Sequence, residues 1–403
     1  MTQPPDDRPI PDELFERIVN LRRDLHRHPE LSWREERTSR RIGDELDALG
    51  IPFRRVAHHG IVADLEGQDP DAPRVALRAD MDALPIDEQT GLSFSSRSEG
   101  VMHACGHDGH SSILVGAAAL LRDDPPPVGV RLLWQPAEET ADGAIAMIDA
   151  GVLDGVAVIF GGHLDRHYPP GQLVITSGAV NASTDVFSIH IQGQQGHGAR
   201  PHEALDAVVV GSLLVTSLQT IVSREVDPAH PSVISVGSFH SGSAANVIAG
   251  QATLEGTIRS QDPEVRDHLH RSLRRIADAV ATLHGATIEV EIDHRTPPLI
   301  NSPHLVELAT DAARQIVDDA QITELHTVNM GGEDFAHYLE HIPGCYIRYG
   351  AQVPGRESFP AHSSQFDIHE EALAMGAAWL NAVARRAGRQ IALGRDFLLE
   401  NPP

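Results

Sequence analysis

Residues 74–82 read RVALRADMD, a short apolar run that ends in two aspartates. A run of this length is typical of a buried strand, and α/β sheets form their sites at the carboxyl ends of strands. Two further apolar runs, 129–134 and 156–160, are followed by side chains with titratable groups, namely Glu138, Glu139 and His163. The pattern predicts a sheet whose strand ends gather carboxylates and an imidazole.

Helical segments separate these strands. Apolar residues recur at three- and four-residue steps from Leu14 onwards, and this spacing predicts an amphipathic helix. A second helix begins near Glu35 and ends at Gly50. Residues 111–121 and 141–150 are also helical in pattern. Strands that alternate with helices predict an α/β domain with a mixed or largely parallel sheet, covered by helices on both faces.

The pattern changes near Ser183 and returns to the first kind after Pro298. Between them we expect a strand, a helix, two strands, a helix and a strand, at 185–192, 204–222, 232–238, 251–258, 263–283 and 287–293. This order is typical of a split βαβ, or ferredoxin-like, arrangement. The sequence therefore predicts one α/β domain, residues 1–182 plus 295–403, interrupted by an inserted α+β domain, residues 183–294.

Composition excludes several classes of protein. The chain has 403 residues and a net charge of -25, from 57 acidic and 32 basic residues, and every basic residue is arginine. Without basic clusters it is a poor partner for nucleic acid or for an anionic membrane. It has no continuous apolar run of about 18 residues, so we expect no membrane span. The polar start and the two cysteines, with no signal-peptide layout or disulfide framework, lead us to expect a cytoplasmic protein.

The strand ends and the segment MHACGHDGH, residues 102–110, supply ligands of the kind that bind metal ions. Thiolate, imidazole and carboxylate together suit Zn²⁺ or Mn²⁺, and these groups come from Cys105, His107, Glu139 and His163. Each has an ordinary alternative on its own: paired glutamates often begin a solvated helix, and a single loop histidine or cysteine is usually structural. Taken jointly, the four residues favour a metal site.

A hydrolytic metal site also needs a base that takes a proton from water. Glu138 stands beside one of the predicted ligands, and two adjacent carboxylates after an apolar strand repel each other unless a cation separates them. The sequence contains no H-E-x-x-H zinc motif, no G-x-S-x-G nucleophile elbow, no Walker A loop and no dinucleotide fingerprint. Because Glu138 stands beside a predicted ligand, we interpret it as the base.

These motifs together resemble the M20 metallopeptidase family, specifically its amidohydrolase branch of aminoacylases, hippurate hydrolases and auxin-conjugate hydrolases. The resemblance covers essentially the whole chain after the first dozen residues, and its most specific string is HACGHD at residues 103–108. The other matching segments lie at 25–31, 77–85, 135–139, 196–202, 246–248, 255–259, 332–335 and 361–363.

The resemblance implies a metallopeptidase-type catalytic domain with two divalent metal ions, bridged by Cys105. The other implied ligands are His107, Glu139, His163 and His362, and their division between the two metals stays open. Glu138 corresponds to the general base and acid. The implied reaction is hydrolysis of an N-acyl-L-amino acid to a carboxylate and a free amino acid. The alternative is a metallo-carboxypeptidase or dipeptidase that acts on short peptides.

A rival of another class is a non-catalytic binding protein on the same scaffold. That hypothesis predicts the loss of one of the site residues Glu138, Glu139 or His362, and the sequence retains all three.

The resemblance also implies roles for the inserted domain, as a lid and as the dimerisation domain of a homodimer or higher homo-oligomer. On it, His197 is similar to the residue that reaches a neighbouring subunit's site and polarises the scissile carbonyl. Asn246 and Arg259 are similar to groups that hold the carboxylate of the substrate, an anion that matches a guanidinium. The implied partner is a small N-acyl amino acid, with no nucleic acid and no membrane.

Two aspartates stand where other M20 branches carry a metal-binding histidine and a supporting aspartate. For Asp80 and Asp82 we favour orientation of the ligands over a purely structural turn. His103 and His110 flank the cysteine motif and are candidates for the same supporting task.

Overall fold

The computed structural model describes residues 8–327, 329–355, 359–395 and 397. The chain divides into two compact units. The first comprises Met1–Gly178, Ile300–His326 and His337–Pro403, and the second comprises Ala179–Leu299 and Thr327–Ala336.

The strands of the described residues are numbered in chain order. They are β1 (Phe53–Val56), β2 (Gly60–Leu65), β3 (Arg74–Asp80), β4 (Val130–Gln135), β5 (Val156–Asp165), β6 (Leu173–Val174), β7 (Gly178–Asn181), β8 (Thr184–Gln192), β9 (Gly196–His197), β10 (Ser232–Ser241), β11 (Val247–Ile248), β12 (Gln251–Ser260), β13 (Thr287–Thr296), β14 (Leu299–Asn301), β15 (Ile322–Thr323) and β16 (Gly344–Gly350).

The α-helices of the same residues are numbered likewise. They are α1 (Asp12–Arg27), α2 (Glu36–Leu49), α3 (His107–Asp123), α4 (Gly143–Asp149), α5 (Ala207–Thr220), α6 (Pro263–His284), α7 (Pro303–Ala313), α8 (Ala336–Leu339) and α9 (Glu371–Ala392). A π-helical turn, Ile221–Glu225, continues α5.

The first unit is built on one mixed sheet, in the order β1-β2-β4-β3-β5-β16-β6-β15. Its four central strands, β4, β3, β5 and β16, are parallel to their neighbours within that group, while β2 pairs with β4 in the antiparallel sense. The mixed α/β architecture predicted from the alternation of strands and helices is confirmed.

Small residues let the helices of this unit pack closely. Helix α3 is buried almost all round and packs against α1, α9 and β3. A Cβ atom on Gly116 of α3 would lie 2.8 Å from the Cβ of Ala377 on α9, which is closer than real side chains approach. Glycine at this crossing therefore permits the close packing that holds the start of α3 at the end of the sheet.

The strand that carries His163 is longer than expected. The apolar run suggested an end near Phe160, but β5 continues to Asp165. The reason is its neighbour β16, which pairs in parallel with residues 159–165 of β5 and places Arg348 opposite His163. His163 therefore projects from a paired strand and not from a loop.

The second unit has a four-stranded antiparallel sheet, in the order β10-β12-β8-β13. Helices α5 and α6 pack on it, and the apolar faces of strands and helices form a separate core around Phe187, Leu214, Leu254 and Leu273. The chain order of these elements is β-α-β-β-α-β, which is that of a split βαβ arrangement.

A short segment beyond the predicted insertion also belongs to the second unit. Backbone hydrogen bonds join Ala182 to Asn329 and Gly331, and the Arg259 guanidinium donates to the Met330 carbonyl. These polar contacts hold 329–331 to the start of β8 and to β12. The sequence does not mark this segment as part of the second unit, because it lies within a polar stretch with no strong periodicity.

One helix bears on the expectation of no membrane span. Ala207–Glu225, formed by α5 and the π-helical turn, is long and apolar enough by length and composition to cross a bilayer. Serine, threonine and glutamine interrupt its apolar residues, so the sequence shows no continuous apolar run here. Core helices of folded domains also meet this criterion, and here Val210, Leu214 and Leu218 pack into the core of the second unit.

Candidate metal centre

The cysteine motif lies where a loop of the first unit enters α3. Cys105 precedes the helix, His107 is its first residue, and Gly106 between them has a φ of +94°. An L-residue with a side chain is strained at this φ, so glycine sets the turn. The turn directs the thiol toward His163, whose Nε2 lies 3.3 Å from Cys105 Sγ.

The backbone carbonyl and the side chain of Asp82, which lies just after β3, orient His107. Its Nδ1 lies 3.0 Å from the carbonyl oxygen of Asp82 and 3.2 Å from Oδ1 of the same residue. Both are acceptors, so Nδ1 carries the donated proton. The opposite nitrogen, Nε2, lies 3.9 Å from Glu138 Oε2 and 3.9 Å from Glu139 Oε1.

His362 completes the group from the far end of the chain. Its Nε2 lies 3.4 Å from Glu139 Oε2, and its backbone N–H donates to the Ala104 carbonyl at 2.8 Å. The residue has a φ of +65°, the left-handed region that costs a non-glycine residue energy. The backbone is thus held in an unusual conformation that brings the imidazole beside the cysteine loop.

Two sets of ligand atoms meet at Cys105. One set is Cys105, His107 and His163, and the other is Cys105, Glu139 and His362; within each set all ligand atoms lie within 4.8 Å of one another. Sulfur, imidazole nitrogen and carboxylate oxygen at this spacing suit a divalent transition metal. The donor set therefore fits a metal centre.

Protonation states agree with that fit. Burial, together with the nearby charges of His110 and Arg348, holds the pKa of His163 well below its usual range. Burial and the charge of His107 lower the pKa of His362. Both imidazoles are therefore neutral near pH 7, as a ligand must be.

Cys105 and His107 must each lose a proton to bind a metal ion. Burial, with the Glu139 carboxylate nearby, raises the pKa of the Cys105 thiol. Burial works against the charged form of His107, yet Asp80 and Asp82 raise its pKa well above the usual value. A divalent ion would stabilise the thiolate of Cys105. At His107 it would take the place of the proton on Nε2, so that the imidazole is neutral while its Nδ1–H still donates to Asp82.

Asp82 lies behind the ligands and contacts two of them. In addition to His107, its carboxylate accepts the Glu139 backbone N–H at 3.0 Å and the Ser32 hydroxyl at 2.7 Å. The side chain is 1 % exposed. One buried carboxylate thus ties the imidazole of one predicted ligand to the backbone of another.

Asp80 contacts a second histidine, His110. Its Oδ1 lies 2.6 Å from His110 Nδ1, and its Oδ2 accepts from Arg78 Nη1 at 2.5 Å. His110 Nε2 accepts the backbone N–H of Leu164, which adjoins His163. This chain of contacts links the end of β3 to the strand that carries a predicted ligand. His103 differs, because neither of its ring nitrogens has a hydrogen-bond partner among the described residues.

Three predicted site residues lie in the second unit. Strands β9 and β11 pair His197 with Val247, and the Gly198 N–H donates to the Asn246 carbonyl at 2.9 Å, so His197 and Asn246 are neighbours. The Ala199 N–H donates to His197 Nδ1 at 3.0 Å, so Nδ1 is an acceptor and Nε2 carries the ring proton. Arg259 lies on a different strand, β12.

Two residues near the centre were not singled out from the sequence. Arg348 is 6 % exposed and lies opposite His163 in the sheet, and its signal was a single charge within the apolar run of β16. Glu35 is fully buried and accepts the Ala137 N–H at 2.9 Å. In the sequence it looks like an ordinary acidic residue at a helix start.

The chain is similar to proteins of a known peptidase family. The model of peptidase family M20/M25/M40 matches residues 76–386. The N-acyl-L-amino acid amidohydrolase of Geobacillus stearothermophilus is 43% identical over 295 residues, which are 72% of this chain and 79% of that protein. Thermostable carboxypeptidase 1 of Saccharolobus solfataricus is 37% identical over 374 residues, 91% of this chain and 94% of that protein.

Among solved structures, a dinuclear metal-binding peptidase of the M20 family from Bacillus subtilis has a TM-score of 0.83 and 34% identity. The match covers 94% of this chain and 99% of that one. The chain therefore belongs to peptidase family M20/M25/M40, and it is a hydrolytic enzyme of the amidohydrolase and peptidase type.

Proposed function

We propose that this enzyme hydrolyses the amide bond of N-acyl-L-amino acids and releases a carboxylate and a free amino acid. The observation that carries the proposal is the set of ligand atoms that meets at Cys105, with the Glu138 carboxylate beside it. The relative from Geobacillus stearothermophilus, which is named for this activity, supports it. The similarity to the carboxypeptidase from Saccharolobus solfataricus supports the alternative, which is hydrolysis of short peptides.

The proposal includes two divalent metal ions per chain, Zn²⁺ or Mn²⁺, held by Cys105, His107, Glu139, His163 and His362. When bound, such ions polarise the scissile carbonyl and make water more acidic. Asp82 and Asp80 would keep the ligands in place, the first through His107 and the second through His110. Their burial supports this positioning role, because a buried carboxylate holds its partners in one geometry.

Glu138 moves the proton in this proposal. It accepts the proton of the attacking water and delivers it to the leaving nitrogen, so that one group acts first as base and then as acid. Its Oε2 lies 3.9 Å from His107 Nε2, and this position beside the proposed ligands supports the role.

We further propose that the inserted domain, residues 183–294, is a lid through which two chains dimerise. The outward face of α5 supports dimerisation, because Val208 and Val209 are 42% and 52% exposed. His197, with a proton on Nε2, would donate to the oxyanion at the partner's site. Asn246 and Arg259 would hold the substrate carboxylate. The two free cysteines support a cytoplasmic location.

A substrate panel separates the two hydrolytic functions. We expect acetyl- and benzoyl-amino acids to be cleaved with kcat/KM at least about tenfold above that of dipeptides, which corresponds to roughly 1.4 kcal/mol of transition-state discrimination. The assay measures free amino acid released in the presence of Zn²⁺ or Mn²⁺. A preference for dipeptides would replace the proposal with the peptidase alternative, and cleavage of neither class would end both.

Replacing the proposed base tests the mechanism. Glu138→Gln should lower kcat by about 100- to 10,000-fold, the usual contribution of general acid–base catalysis. Because the amide keeps the shape of the side chain, elemental analysis should find unchanged metal content. Glu307→Gln, on an exposed side chain of α7, is the matched control and should keep full activity. Wild-type activity in Glu138→Gln would refute the assignment.

Subunit complementation tests the role of His197. Glu138→Gln and His197→Ala should each be nearly inactive alone. After subunit exchange in an equal mixture, half of the dimers contain one intact site, so about a quarter of wild-type activity should return. Native mass spectrometry verifies that mixed dimers form. Mixed dimers without activity would mean that His197 does not serve the partner's site.

A further inference from the structure

The turn before Glu138 has an unfavourable backbone conformation. Ala137 is fully buried and has a φ of +55°, a region that L-residues with a side chain rarely adopt. The turn is also tight on its other side, because the Gly143 N–H donates to the Ala137 carbonyl and a Cβ on Gly143 would lie 1.7 Å from the Pro136 oxygen. Such a conformation persists only where neighbouring groups hold it.

Glu35 is one of the groups that hold this turn. Its Oε1 accepts the Ala137 N–H at 2.9 Å across 102 residues of chain, and the side chain is fully buried. The other oxygen, Oε2, is buried without a hydrogen-bond partner among the described residues. Burial, with the charge of Asp82 adding to it, raises the pKa of Glu35 to about 7. A carboxyl group that is partly neutral near pH 7 costs less to bury than a fully charged one.

The position of Glu35 in the chain does not explain its burial. It directly precedes α2, where an acidic side chain normally accepts N–H groups of its own helix. Its side chain makes no such bond. Glu30 accepts the Arg37 and Thr38 N–H groups at the start of α2 instead, at 3.0 and 2.8 Å. Glu35 is thus released from capping and turns toward the metal centre.

The backbone N–H groups on both sides of Glu138 donate to buried carboxyl groups. The residue before it, Ala137, donates to Glu35, and the residue after it, Glu139, donates to Asp82. Ser32, in the same loop as Glu35, donates to Asp82 as well. The loop that precedes α2 therefore contacts both supports.

We propose that Glu35 is a positioning residue, whose buried carboxyl group holds the left-handed turn at Ala137 and thereby aims Glu138 at the substrate. This inference rests on the proposed function, in which Glu138 transfers the proton. Without the acceptor, Ala137 can relax toward an ordinary backbone conformation and carry Glu138 away. The ligand Glu139 keeps its own support from Asp82.

The test compares two substitutions at Glu35. Glu35→Ala removes the acceptor, and we expect kcat to fall about 10- to 100-fold while KM changes less than about threefold, as for a misplaced catalytic group. Glu35→Gln keeps an acceptor oxygen and resembles the neutral acid, so its kcat should stay within about threefold of wild type. Metal content should be unchanged in both variants. If Glu35→Ala does not fold, Glu35→Met fills the space without an acceptor.

Glu30→Ala is the matched control. The Glu30 carboxylate, like that of Glu35, accepts backbone N–H groups, but the two that it accepts belong to α2. The substitution should lower the melting temperature and leave kcat unchanged. A second arm adds Ala137→Gly to Glu35→Ala. Glycine adopts positive φ without strain, so the double variant should recover part of the lost kcat.

A readout without substrate separates this inference from the proposed function. Hydrogen exchange at the Ala137 amide should be faster in Glu35→Ala than in wild type or Glu35→Gln. If the wild-type enzyme cleaves no N-acyl amino acid, the proposed function fails and the exchange result alone decides the role of Glu35. Unchanged exchange, wild-type kcat in Glu35→Ala, or equal damage in Glu35→Ala and Glu35→Gln would each overturn the inference.

Discussion

Positive charge must accompany the carboxyl groups around His107, because carboxylates packed this closely repel one another. Asp82 lies on the Nδ1 side of the ring and Asp80 is buried behind it, while Glu138 and Glu139 face Nε2. The protein's own arginine and histidine side chains compensate the first pair. On the Nε2 side, the atoms of His107, Glu138 and Glu139 that could bind a metal lie within 4.8 Å of one another. A divalent cation there is the compensation that this arrangement of charges favours.

The scaffold brings these groups together by ending its central elements at one place. Strands β3 and β4 end at Asp80 and Gln135, α3 begins at His107, and the extended β5 carries His163. These elements are buried and regularly hydrogen-bonded, so the side chains that they carry have little freedom. The turn around Ala137 lies outside these regular elements, and the buried carboxyl groups of Glu35 and Asp82 accept the backbone N–H groups on either side of Glu138.

Much of this could be predicted from sequence, because periodicity and strand-end chemistry are local signals. The alternation of elements predicted the mixed α/β sheet, and the cysteine motif predicted the cluster around Cys105. Other features depend on partners that are distant in the chain. The pairing of β5 with β16 extends the strand through His163, and Arg348 gains its place only through that pairing. Glu35 looked like a helix-start acid, because its partner Ala137 lies 102 residues away.

Metal content tests the central claim most directly. The account predicts two divalent ions per chain in wild-type protein prepared with Zn²⁺ or Mn²⁺, with anomalous diffraction peaks among the residues around Cys105. Cys105→Ala, which removes the shared ligand, should lose at least one of the two ions by elemental analysis while the circular dichroism spectrum stays unchanged. Wild-type protein without bound metal, or full occupancy in Cys105→Ala, would contradict the account.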